Sequence, residues 1–135
     1  MENTAKKASE LKGKSGILRL FNALRYSKQG FIAAWRTEQA FRQELILACV
    51  MLPVAILLPL DWMEKLLMVI AVINVLTVEI LNSALEAVVD RFGEEIHPLS
   101  GKAKDLGSAA VFLALLICAI VWLTILVHRF TNLFA

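Results

Sequence analysis

Leu106 to Val127 is a run of 22 residues without a single charge, and no other feature of the chain restricts its fold so strongly. A helix needs about 20 apolar residues to cross the hydrocarbon core of a bilayer. A second run, Leu66 to Val89, holds 24 residues whose only charges are Glu79 and Glu86. A third, Leu45 to Leu60, is uncharged for 16 residues; it is short, but flanking side chains that snorkel extend it. Pro53 lies inside it, and a membrane helix tolerates such a kink where neighbours re-satisfy the freed carbonyl. Composition agrees: 59% of the 135 residues are hydrophobic and 19% charged, against about 45–50% and about 25% in soluble domains. The predicted fold is therefore an all-α membrane protein. A single domain over 16–135 carries transmembrane helices at about 44–60, 63–90 and 106–128. Three short helices bury little surface per chain, so a homo-oligomer is expected.

Asp61-Trp62 predicts a short turn between the first two spans, with Trp62 as an interfacial anchor. Residues 90–105, with Gly93, Pro98 and Gly101, predict a longer loop between spans two and three. Lys and Arg in the flanks set the orientation. Residues 1–43 carry nine, and Arg91, Lys102 and Lys104 bring that side to twelve; Lys65 and Arg129 give the other side two. The N-terminus and the 90–105 loop are thus expected in the cytoplasm and the C-terminus outside.

Residues 17–42 read as an amphipathic surface helix. Ile17, Leu18, Phe21 and Leu24 recur at helical spacing, followed by Phe31, Ile32, Trp35 and Phe41, with Arg19, Arg25, Lys28 and Arg36 among them. Gly30 is expected to break the run in two. A basic, aromatic-bearing helix joined to a span should lie in the headgroup plane, where its cations meet anionic lipid; a targeting or purely electrostatic anchor is the less favoured alternative. The Lys-rich stretch 1–15 is expected to be a disordered basic tail. No cleavable signal peptide is expected, because the first 43 residues lack an uninterrupted apolar segment.

Glu79 and Glu86 are the most informative residues. A charged side chain at the centre of a membrane helix costs about 2.5–3.5 kcal/mol on insertion scales, so such residues are rare and tend to be functional. At about 100° per residue, Glu79, Asn82, Ser83, Glu86 and Asp90 share one stripe, opposite Ile80, Leu81, Leu85, Val88 and Val89. Lipid cannot satisfy that stripe, so it must face other helices or a wet cavity. Asn and Ser often glue membrane helices together. Two carboxylates seven residues apart, with no cation inside any span, suit that role poorly. A divalent metal relieves their repulsion, and hard oxygen ligands of this kind suit Mg²⁺.

A second acidic pair, Glu38 and Glu44, precedes the first span. On the sequence alone, Glu38 completing a metal site with Glu86 and Glu38 pairing with Arg36 or Arg42 both remain open. Lys102 and Lys104 in the loop suit phosphates as point charges, and equally a solvated loop on the positive side. Cys49 and Cys118 lie in apolar segments without CxxC spacing and read as small packing residues. Ala8 to Ser15 ends in Gly-Lys-Ser like a phosphate-binding loop, but Ala8 replaces the first glycine and no strand precedes it. Protein-kinase signatures are absent, and no nucleic-acid partner is expected.

Val78-Glu79-Ile80-Leu81-Asn82-Ser83-Ala84-Leu85-Glu86-Ala87-Val88-Val89-Asp90-Arg91, then Leu99-Ser100-Gly101-Lys102-Ala103-Lys104-Asp105-Leu106-Gly107-Ser108-Ala109-Ala110-Val111, resembles the signature of the bacterial integral-membrane diacylglycerol kinases. Glu38 to Glu44 resembles that family's segment before the first span. The match runs from about Arg19 to the end of span three, with residues 1–15 as an extension and Ile96 and Pro98 as departures around His97.

The resemblance implies a homotrimeric helical bundle with active sites shared between subunits. It implies transfer of the γ-phosphoryl group of MgATP to the primary hydroxyl of diacylglycerol, giving phosphatidic acid. Glu79 matches the catalytic base and Asn82 a polar active-site residue, while Glu38 and Glu86 match metal-binding carboxylates. Arg19, Tyr26, Glu38, Glu86, Glu95, His97, Lys104 and Asp105 match positions associated with nucleotide binding. Arg19, Ala33, Ala34, Trp35, Arg36, Glu79 and Ser108 match positions near the lipid. Phosphoryl transfer needs positioning, a metal on the phosphates and a group that orients or deprotonates the nucleophile, which this set contains.

An undecaprenol kinase shares the same core and differs in its acceptor. A small transporter also uses intramembrane Glu residues, but the three spans show no internal repeat. A non-catalytic adaptor leaves the acidic stripe unexplained.

Overall fold

The computed structural model describes residues 16–91 and 97–133. The expected tail at 1–15 and Glu95 lie outside the described residues. Four helices make up the described chain: α1 (Gly16–Thr37), α2 (Gln39–Leu57), α3 (Trp62–Asp90) and α4 (Pro98–Leu133). The last three are each long and apolar enough to cross a membrane. The chain divides into two compact units, residues 1–37 and 38–135.

In the first unit, α1 runs unbroken through Gly30, contrary to the expected break. One glycine inside a helix costs only about 1 kcal/mol relative to alanine, which 22 residues of helix absorb. The helix stops at Thr37 rather than near residue 42. Thr37 Oγ1 turns back to donate to the carbonyl of Ala33 at 3.1 Å. The next residue, Glu38, is extended, with φ −101° and ψ 116°. Leu18, Leu20, Phe21, Leu24, Phe31, Ile32 and Trp35 are exposed along α1.

The second unit begins where the Glu38 carbonyl accepts from the Arg42 N–H at 3.3 Å and starts α2. Pro53 is accommodated inside that helix. Leu58, which precedes Pro59, is extended at φ −61° and ψ 144°, the conformation that a following proline enforces, and α2 ends at Leu57. Lys65 Nζ reaches back 2.7 Å to the carbonyl of Ile56, placing a cation at the negative end of the α2 dipole. The turn occupies residues 58–61 rather than Asp61-Trp62. Asp61 caps α3, its N–H donating to Glu64 Oε2 at 2.9 Å, and Trp62 is the first helical residue and exposed.

α3 packs against both α2 and α4. Ala48 and Ala55 from α2, Met68, Ala71, Val72 and Val75 from α3, and Ala114, Cys118, Trp122 and Ile125 from α4 form the core. The alanines let backbones approach closely, which is how helices associate in lipid. Cys118 packs in this core, whereas Cys49 is exposed, so only one of the two cysteines has the packing role expected of both. The outer faces carry exposed leucine, isoleucine, valine and phenylalanine throughout.

Within the expected loop 90–105, residues 98–105 are helix. α4 begins at Pro98, about two turns before the uncharged run, and reaches Leu133. Proline is favoured at the first helical position because its missing N–H has no intrahelical partner there anyway. His97 caps the start: its Nδ1 accepts from the Leu99 N–H at 3.2 Å, and its carbonyl from Ser100 at 2.9 Å. Lys102, Lys104 and Asp105 are thereby carried on a rigid helix.

Candidate functional site

The polar stripe of α3 is graded by depth. Glu79 is 4% exposed and is the one buried charged side chain among the described residues. Asn82, Ser83 and Glu86 are half-buried, and Asp90, at the helix end, is exposed. Eleven residues separate Glu79 from Asp90, about 16 Å along the axis. The row thus runs from the exposed end of α3 to a buried position among the helices.

Glu79 is the hub of an acidic cluster. Glu86 from its own helix and Glu38 from the start of α2 both act on it through space. Glu44, on the second turn of α2, does so too. Glu44 also lines an apolar cleft among the three helices with Leu47, Met51, Val75 and Cys118. Glu79 thus has three carboxylates within electrostatic reach, Glu38, Glu44 and Glu86. At the exposed end of α3, Lys104 Nζ pairs with Asp90 Oδ1 at 2.7 Å.

Asn82 Nδ2 donates to Glu86 Oε1 at 3.1 Å, fixing the carboxylate one turn along. Glu44 Oε2, Asn82 Oδ1 and Ser83 Oγ are buried and accept or donate no hydrogen bond among the described residues. Buried polar groups are ordinarily satisfied, so these three are groups in want of partners.

Among the described residues, no three His, Cys, Asp or Glu side chains converge as a self-contained metal cage. Mg²⁺ ordinarily takes one or two protein carboxylates and completes its shell with phosphates and water. Glu38 and Glu86 are the two carboxylates that the sequence assigns to a metal, and both act through space on Glu79.

The residues predicted for the site divide by location. Glu38, Glu79, Asn82 and Glu86 come together around the acidic hub. Lys104, Asp105 and Ser108 follow on the first turns of α4, the last two exposed. His97 serves as the α4 cap. Arg19, Tyr26, Ala33, Ala34, Trp35 and Arg36 all lie on α1, in the other unit, where the Arg25 guanidinium sits 5.3 Å from the centre of the Tyr26 ring. Sequence reasoning did not place Glu44 beside Glu79, nor Gly107 against Asn82, whose side-chain oxygen occupies the space where a Cβ at 107 would lie. Glu44 carried a signal, a carboxylate at the edge of an apolar run; Gly107 carried only its place in a span opposite a polar face.

Three apolar helices with a carboxylate row reaching into their interior define an all-α, three-span membrane protein with an acidic site open toward one end of α3. The profile of the family described as prokaryotic diacylglycerol kinase matches residues 25–126. The diacylglycerol kinase of Pseudomonas aeruginosa is 51% identical over 118 residues, covering 87% of this chain and 96% of that protein. Those of Haemophilus influenzae and Escherichia coli K12 are 49% and 46% identical, covering 80% and 86% of this chain and 92% and 95% of their own lengths. The chain belongs to the prokaryotic diacylglycerol kinase family.

Proposed function

We propose that this protein transfers the γ-phosphoryl group of ATP to the primary hydroxyl of diacylglycerol, yielding ADP and phosphatidic acid. The observation that carries the reading is the buried carboxylate of Glu79 at the centre of an acidic cluster within a membrane helix. ATP is confined to water, whereas diacylglycerol is confined to the bilayer with its hydroxyl near the interface. A row of polar groups that starts at the membrane surface with Asp90 and Lys104 and ends at Glu79 spans the two phases.

In this reading Glu79 accepts the hydroxyl proton as the alcohol oxygen forms its bond to γ-phosphorus and the bond to the β–γ bridging oxygen breaks. Asn82 holds Glu86 in place through its amide. Glu38 and Glu86 hold Mg²⁺, which when bound neutralises phosphate charge. Lys104 and Asp105, on the first turns of α4, and Arg19 and Tyr26, on α1, contact nucleotide, as do His97 and Glu95. Ala33 to Arg36 and Ser108 border the lipid. The exposed apolar flanks and the unsatisfied Ser83 and Glu44 atoms support a homotrimer in which neighbouring subunits complete each site. The excess of Lys and Arg before α2 and after α3 supports a cytoplasmic N-terminus in a bacterial inner membrane.

The test is Mg²⁺-dependent ATP consumption in vesicles with and without diacylglycerol, for the natural chain and for Glu79→Gln. Stimulation by diacylglycerol that Glu79→Gln abolishes, with assembly intact, is expected. Stimulation by a polyprenol and not by diacylglycerol, or full activity of the variant, overturns the assignment.

A further inference from the structure

Gly107 is the one glycine among those described whose missing side chain meets anything. At Gly16, Gly30 and Gly101 a Cβ would find nothing within 4 Å. At Gly107 it would collide with the Asn82 side-chain oxygen and lie 3.3 Å from Asn82 Cγ and 3.9 Å from Leu85 Cδ2. The two residues face each other across a groove between α3 and α4 lined by Val78, Leu81, Leu85, Leu106 and Ala110.

The orientation of the Asn82 amide follows from its nitrogen end. A carboxylate only accepts hydrogen bonds, so the Asn82 nitrogen must face Glu86, as it does at 3.1 Å. The oxygen then points away, toward α4. It is buried and accepts no hydrogen bond among the described residues, so no donor holds it there. What accommodates it is the space left by the absent side chain at 107. Leu85 Cδ2 flanks that space at van der Waals distance.

We propose that Gly107 is a positioning residue for phosphoryl transfer: its bare backbone seats the Asn82 amide so that Asn82 holds the Glu86 carboxylate in its working geometry. This rests on the diacylglycerol kinase reading and adds to it a residue that touches neither substrate. A Cβ at 107 pushes the amide aside, and Glu86 loses the donor that fixes it. Misplacement of a catalytic group by about 1 Å costs on the order of 100-fold in rate, so the effect belongs in kcat rather than in lipid affinity.

The experiment compares the full-length chain, Gly107→Ala, Asn82→Ala and the double variant in phosphatidylcholine nanodiscs, using a short-chain diacylglycerol and MgATP. Assembly is followed by size-exclusion chromatography and the Asn82 side-chain amide by ¹⁵N NMR. For Gly107→Ala, kcat should fall about 10- to 100-fold with KM for diacylglycerol within about twofold, and the Asn82 resonances should move. The double variant should be no slower than Asn82→Ala, since the two changes act through one contact. An assembled Gly107→Ala with wild-type kcat overturns the inference, as does a double variant slowed as much again. If Gly107→Ala does not assemble, the double variant decides: recovery of assembly supports the contact, and failure overturns it. If the natural chain does not phosphorylate diacylglycerol, the functional reading fails, and the Asn82 resonances alone decide whether Gly107 seats that amide.

Discussion

The indole nitrogen of Trp122 donates to the backbone carbonyl of Met68 at 3.2 Å, joining α4 to α3 through a fully buried hydrogen bond. Met68 has no exposed surface, and Trp122 packs beside Ala71 and Ile125 in the same core. The contact pins the end of the bundle remote from the acidic cluster.

Trp122→Phe keeps most of the apolar volume and removes that donor. Interhelical hydrogen bonds in membranes contribute about 0.6 kcal/mol on average and up to about 1.7 kcal/mol. The variant should lose stability within that range, read as an earlier midpoint in a denaturing-detergent titration. Its lipid kinase kcat should stay within about twofold of the natural chain, because the site lies elsewhere on α3.

Glu79→Gln and Glu86→Gln should fail differently. If Glu79 is the general base proposed above, its removal costs about 100-fold or more in rate, and Glu79→Gln should lose turnover at every Mg²⁺ concentration while still binding MgATP. If Glu86 holds the metal as proposed, raising Mg²⁺ should recover part of the activity lost in Glu86→Gln. Titrating Mg²⁺ against initial rate for both variants checks the assignment.

Lys104 and Asp90 form a largely exposed pair, and such pairs contribute at most about 1 kcal/mol. Lys104→Ala should therefore leave the thermal midpoint nearly unchanged. If the lysine meets nucleotide phosphates, KM for MgATP should rise several-fold, and about 1.4 kcal/mol of lost binding corresponds to tenfold. Steady-state kinetics and a melting curve on the same preparation separate the two contributions.

His97 caps α4 with its ring nitrogen, and loss of a side-chain cap costs about 0.5–2 kcal/mol. His97→Ala should destabilise the start of α4, visible as faster amide hydrogen exchange at Leu99. His97→Asn keeps a capping acceptor and should restore protection. A nucleotide contact made by the imidazole itself would leave KM for MgATP raised in both variants.

The spans were legible because hydrophobic length is a property of composition, and Leu106–Val127 admits no other reading. The acidic face of α3 was legible because helical periodicity alone brings Glu79, Asn82, Ser83 and Glu86 together. Where helices begin and end was less so. Pro98 and Gly101 read as loop residues, yet Pro98 suits a first helical turn and Gly101 sits harmlessly within the helix. Thr37-Glu38 carried no Gly or Pro to mark the break between α1 and α2; the Thr37 hydroxyl folding back on Ala33 marks the end of α1 there. Glu44 and Gly107 depend on which helix faces which, and no single helix's pattern contains that information.

α4 is one uninterrupted rod of 36 residues from Pro98 to Leu133. At 1.5 Å per residue it is about 54 Å long, well beyond a hydrocarbon core of about 30 Å. A thicker or thinner bilayer changes the tilt of such a rod. Because Lys102, Lys104 and Asp105 have no hinge between them and the lipid-embedded turns, any change of tilt swings those side chains sideways over the membrane surface. Tilt of the span and placement of those three side chains are thus geometrically one variable.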